Sequence, residues 1–105
     1  AYETAKTWIQ KGKTLLTVGG DHSVSLGPIK ACSEKYPNLS VLHFDAHADL
    51  RVAYEGFTHS HASIMDHVTR LPGVARLVQV GIRDVSQVEI ERIQSDKKVK
   101  TYFDW

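Results

Sequence analysis

Strand-sized apolar runs recur along this chain at intervals too long for hairpins. They cover residues 14–18, 39–44, 76–81 and 98–103, and each is rich in valine, leucine, isoleucine or aromatic residues. Between them lie stretches with helical spacing. Residues 2–11 carry Ala5, Trp8 and Ile9 on one face, and residues 26–36 carry Leu26, Ile29 and Ala31 before Pro37-Asn38. Residues 61–71 carry Ile64, Met65 and Val68 and end before Pro72-Gly73. Residues 86–95 present Val88, Ile90 and Ile93, and Ser86 with Glu89 three positions later makes a capping box. Strand–helix–strand intervals of this size need crossovers, and crossovers give a parallel sheet with helices on its faces. Strands buried on both sides explain why "LSVLHF" and "ARLVQVG" alternate so little. The expected fold class is α/β.

With 105 residues the chain is at most one domain, and its formal net charge of +1 gives no reason to expect nucleic acid or an acidic membrane as partner. No run approaches the roughly 18 apolar residues that span a bilayer. Cys32 is the one cysteine, so no internal disulfide forms, and a cytoplasmic setting is the default expectation. The chain begins at Ala1 without a methionine and stops at Trp105 just after a strand-like stretch, "VKTYFDW". We therefore expect a piece of something longer.

In open α/β sheets, ligands gather at the carboxyl ends of the strands. Those ends here are "GGDHS" at 19–23, "DAHAD" at 45–49 and "GIRD" at 81–84, so the titratable residues collect at one edge. An extended continuation of period 2 points Asp45, His47 and Asp49 the same way. Unpaired buried carboxylates are costly, and a divalent cation removes that conflict. Two close cations do so better, because a carboxylate can bridge them and a water can be activated between them. The donor set is oxygen-rich with imidazole and has no thiolate, which favours manganese over a structural zinc site. His22, delivered after two glycines, adds a further nitrogen. Taken alone, D-x-H-x-D is either a metal site or a solvated turn paired to Arg51, and "GGDH" alone is ordinary turn chemistry. His43, inside an apolar run, reads as a hydrogen-bonded core histidine. His61 heads a helix and is a capping or surface residue, while His59 and His67 read as surface. Cys32 reads as a small core residue with no partner spaced to activate it. The irregular stretch 51–60 sits where an active-site loop would.

"GGDHS" at 19–23, "HFDAHADLR" at 43–51, "SHASIM" at 60–65 and "VGIR" at 80–83 together resemble the ureohydrolases, the family of arginases and agmatinases. Order and spacing match as well as letters, from about Thr14 to Arg83. The resemblance implies a three-layer α/β/α sandwich around a parallel sheet. It implies two manganese ions, with His22 a ligand of one, His47 of the other, Asp45 joining both and Asp49 a further ligand. Asp21 would orient a ligand without binding the metal, and His61 would be the active-site histidine that moves protons or helps the leaving amine depart. The implied reaction is hydrolysis of a guanidinium group to urea and a primary amine.

Stretch 51–60, "RVAYEGFTHS", lacks the asparagine-bearing segment by which arginases hold the amino-acid end of arginine, and "SHASIM" is more similar to agmatinases. The resemblance therefore implies agmatine, converted to putrescine and urea, ahead of arginine, formimidoylglutamate or guanidinobutyrate. It also implies a homo-oligomeric intact enzyme. The family carries a later Ser-x-Asp-x-Asp segment and a distant glutamate, neither found in these 105 residues. The expectation is thus part of a single domain, residues 1–105, that stops before the second metal-binding segment and is inactive by itself. A non-catalytic metal-binding or assembly module is the alternative of another class. A deacetylase-type amide hydrolase fits less well, because its ligands are arranged differently.

Overall fold

The computed structural model describes all 105 residues. Its regular elements are α1 (Tyr2–Gln10), α2 (Leu26–Lys35), β1 (Leu39–Phe44), α3 (Ile64–Arg70), β2 (Val74–Ile82), α4 (Gln87–Ser95) and β3 (Val99–Phe103), with 3-10 turns at His22–Ser25 and His61–Ser63. The three strands form one parallel sheet in the order β1-β2-β3. Each consecutive pair is joined through a helix, as the strand–helix–strand intervals require.

Local signals set the helix ends. α2 gives way at Tyr36, next to Pro37, and α3 at Leu71, next to Pro72. Ser86 accepts from the Glu89 N–H while the Glu89 carboxylate accepts from the Ser86 N–H, so the capping box is complete. α4 does not present the expected face, however. Val88 is 71% exposed and Glu89 is buried instead, because the Glu89 carboxylate also reaches inward to accept from the Leu50 N–H at 3.1 Å. Trp8 likewise stays largely in solvent, while Ala5 and Ile9 pack on Ala31 of α2.

The core lies between the sheet and the helices. Leu77, Ile82 and Val99 meet Ile64, Met65 and Val68 of α3, with Ala48 and Leu50 from the segment after β1. Leu26 and Ile29 of α2 and Ile93 of α4 close its margins. Buried Asp66 of α3 ties two helices together, accepting from Arg92 of α4 at 2.5 Å and from Arg70 at 3.0 Å. Burial opposes ionisation there, but the two guanidinium groups outweigh it and hold the Asp66 carboxyl below the usual carboxylate range.

The expectation of a first strand is corrected. The apolar run 14–18 forms no strand: it takes no part in the sheet, and Leu16 and Val18 are 90% and 87% exposed. Strand propensity is realised only beside a partner edge, and none is paired with it. The sheet also has helices on one face only. On the other, Leu42, Phe44 and Tyr102 stand exposed, with Val78 and Val80 between them in register. The chain therefore contains two layers, sheet and helices, of the three implied by the resemblance.

A bulge interrupts β2 near its end. Val80 pairs with Tyr102 and Ile82 with Phe103, which leaves Gly81 as an extra residue with φ 91°. A side chain there would be strained, and its Cβ would stand 3.3 Å from the Asp45 carbonyl oxygen. No helix is long and apolar enough to cross a membrane.

Candidate metal centre

The carboxyl edge of the sheet gathers its polar residues from three places. Beyond β1 the chain bends at Ala46, and His47 then makes a parallel bridge to Asp84 beyond β2. Asp49 then turns with φ 54°, in the left-handed region that aspartate tolerates better than most residues. Its carbonyl accepts from the Met65 and Asp66 N–H groups at the start of α3, at 2.9 and 3.2 Å. The expected strand-like continuation of period 2 is not what brings these residues together: Asp45 and His47 meet across the bend at Ala46, and Asp49 arrives by a turn. His22 comes from the first 3-10 turn, which the Asp21 carboxylate caps by accepting from the Ser23 N–H at 2.9 Å and from the Ser23 hydroxyl. Asp21 therefore caps the turn that carries His22. The Ser23 hydrogen bonds hold the Asp21 carboxyl below its usual range.

Asp45 is the hub. Its Oδ1 accepts from the His47 N–H at 2.9 Å and faces His47 Nδ1 at 3.2 Å. Its Oδ2 faces His43 Nε2 at 3.3 Å and His22 Nδ1 at 3.8 Å. Asp49 Oδ2 lies 2.5 Å from His22 Nδ1. One ligand atom from each of His22, His43, Asp45 and Asp49 falls within a common span of 4.8 Å. His47 stands on the opposite oxygen of Asp45, more exposed, with Nε2 3.5 Å from Asp84 Oδ2.

The hydrogen bond to Asp49, opposed by partial burial, holds the His22 imidazole above its ordinary value. Burial works against the Asp45 anion, but the His47 N–H and the flanking imidazoles outweigh it and lower its pKa. Burial pushes the His43 ring below its ordinary value, which favours the neutral form. Two carboxylates and two solvent-accessible imidazoles, with no thiolate among them, suit a manganese-type divalent cation. The two faces of Asp45 suit a carboxylate shared by two ions. The donor set therefore fits the implied metal.

His61 begins the second 3-10 turn, exposed, with its ring edge-on to Tyr54 at 5.7 Å. It lines a cleft of about 220 Å3 together with His47, Asp49, Arg51, Tyr54 and Glu89, so it shares that space with two of the four candidate ligands. His59 and His67 lie outside this group, stacked on each other at 4.5 Å. The expected ion pair of Arg51 goes to Glu89, at 3.6 Å, and not to the DAHAD carboxylates. Sequence reasoning missed three contributors. From sequence, Glu89 reads only as part of a helix cap, Asp84 only as a strand end and Gln79 only as part of an apolar run. For Gln79 the one available signal was a lone amide inside "LVQV".

Residues 1–104 match the profile of the arginase family. The agmatinase of Bacillus subtilis is 43% identical over 83 residues, which are 79% of this chain and 29% of that protein. The solved arginase from Medicago truncatula superposes with a TM-score of 0.73 at 41% identity, over 81% of this chain and 27% of that one. The formimidoylglutamase from Bacillus subtilis does so with a TM-score of 0.79 at 25% identity, over 95% of this chain and 33% of that one. The chain spans a third or less of the length of each relative. A profile match over nearly every residue leads to one conclusion: this chain belongs to the arginase family.

Proposed function

We propose that the intact protein carrying this chain hydrolyses the guanidino group of agmatine, giving putrescine and urea, at a centre of two manganese ions. His22, Asp45, His47 and Asp49 would hold the ions from this part of the molecule. The observation that carries the proposal is Asp45, whose two oxygens face different imidazoles, with Oδ1 toward His47 and Oδ2 toward His22. Bound manganese would supply Lewis acidity and a water of lowered pKa. Asp49 fixes the His22 ring, and Asp21 fixes the turn that carries it. His61, exposed at the cleft, would hand a proton from its ring to the departing amine nitrogen as the bond from the guanidino carbon breaks. The similarity to the Bacillus subtilis agmatinase, and a 51–60 stretch without asparagine, support agmatine over arginine. A homo-oligomeric, cytoplasmic enzyme of polyamine metabolism accords with this assignment.

The test is manganese content and urea release in the intact protein. Agmatine should outpace arginine and formimidoylglutamate, and either of those as the better substrate would overturn the substrate assignment. Asp45→Asn should lose both ions and His22→Asn chiefly one, because a bridging carboxylate serves two. Equal loss in both variants would contradict the ligand assignment.

A further inference from the structure

His43, Gln79 and Thr101 are direct partners across all three strands, one from each. Gln79 is wholly buried and His43 nearly so. Their hydrogen bonds can be read in only one direction. One end of the Gln79 amide lies 2.6 Å from the Ala48 carbonyl oxygen, so that end is the NH2 group. The other end, Oε1, then accepts from the Thr101 hydroxyl at 3.0 Å. The same NH2 group lies 3.0 Å from His43 Nδ1. A donor facing that nitrogen requires Nδ1 to be the acceptor, which places the proton of the neutral ring on Nε2. Nε2 faces Asp45 Oδ2 at 3.3 Å, and the ring stacks on His22 with centroids 5.0 Å apart.

We infer that His43 is a positioning residue, whose Nε2–H is donated to Asp45 by a relay running from Thr101 through Gln79. Its nitrogen lies among the candidate ligand atoms, but a protonated Nε2 has no lone pair to offer a metal. Instead it holds the Asp45 carboxylate in one rotation, and the ring supports His22 from beneath. Both effects rest on the assignment of Asp45 and His22 as ligands proposed above. Partners of this kind are worth about 10- to 100-fold in metal affinity.

The first measurement needs neither metal nor mutation: neutron diffraction from crystals of the metal-free intact protein. A deuteron on His43 Nε2 and none on Nδ1 is expected; the reverse tautomer overturns the inference even if the metal assignment stands. The second is manganese affinity. His43→Leu should weaken binding by about 10- to 100-fold with unchanged circular dichroism. His43→Gln, which can accept through Oε1 and donate through Nε2, should stay within about threefold of the parent. Equal loss in both variants would mark His43 as a ligand and overturn the relay, and an unchanged His43→Leu would overturn it too. Should the parent protein bind no manganese, the metal assignment fails, while the tautomer still decides the relay.

Discussion

On the helix side of the sheet Leu77 and Gln79 are wholly buried, while on the other side Leu42 and Phe44 are 60% and 72% exposed. Hydropathy alone does not separate the two faces of β1, since the inward set is Leu39, Val41 and His43 and the outward set Ser40, Leu42 and Phe44. The difference teaches that burial follows what covers a face, and that polar groups enter a core when they satisfy one another. His43, Gln79 and Thr101 do so as a row. The outward row has no such network and no helix over it.

Substitutions on the two faces can break this contrast. The largest effect is expected for Leu77→Ala on the covered face, about 3 kcal/mol in urea unfolding, because a fully buried leucine leaves a cavity. A loss below about 1 kcal/mol would mean that the covered face is not a packed core. Next comes Asp66→Asn, at about 2 kcal/mol near neutral pH. Breaking a buried pair costs more than that, but Arg70 and Arg92 both reach solvent and can rehydrate. Its pH dependence has a definite sign. The folded carboxyl titrates below its unfolded value, so its contribution is complete above about pH 4 and is lost as pH falls through the folded value. The stability gap between parent and Asp66→Asn should therefore shrink in acid, and a gap that widened there would refute the ion-pair account. The smallest effect is expected for Phe44→Ser on the open face, within about 0.5 kcal/mol for this chain. A cost above about 1.5 kcal/mol would show that something covers that face in solution, and sedimentation would then reveal whether it is a second copy.

Much of this was legible in advance, and the pattern of what was not is physical. Helix ends depend on neighbours in sequence, so Pro37, Pro72 and the Ser86–Glu89 box located them within a residue or so. The strands Leu39–Phe44 and Val99–Phe103 were found because their partners are present. Residues 14–18 have the same apolar character and failed, because pairing belongs to two segments and composition describes one. At the site, His22 arrives on a 3-10 turn and not at the end of the strand expected over 14–18, while the places of Asp45 and Asp84 beyond β1 and β2 could be anticipated. The left-handed turn at Asp49 could not, nor could the inward swing of Glu89, since each depends on where α3 or α4 comes to rest. The relay behind His43 was hidden for a different reason: it requires the register of three strands at once.

The bulge at Gly81 carries a consequence for how such a chain can vary. From Leu77 to Gln79 the odd-numbered residues of β2 face the helices; after Gly81 the even-numbered Ile82 does. One codon thus acts as a phase marker. Deleting it would send Ile82 outward and carry Asp84 off its bridge to His47, disrupting core and cleft in a single event. A codon added within the exposed stretch 51–60 would alter no strand's phase. The register thus constrains length more tightly than lettering here, and gaps should be far rarer between residues 74 and 84 than substitutions are.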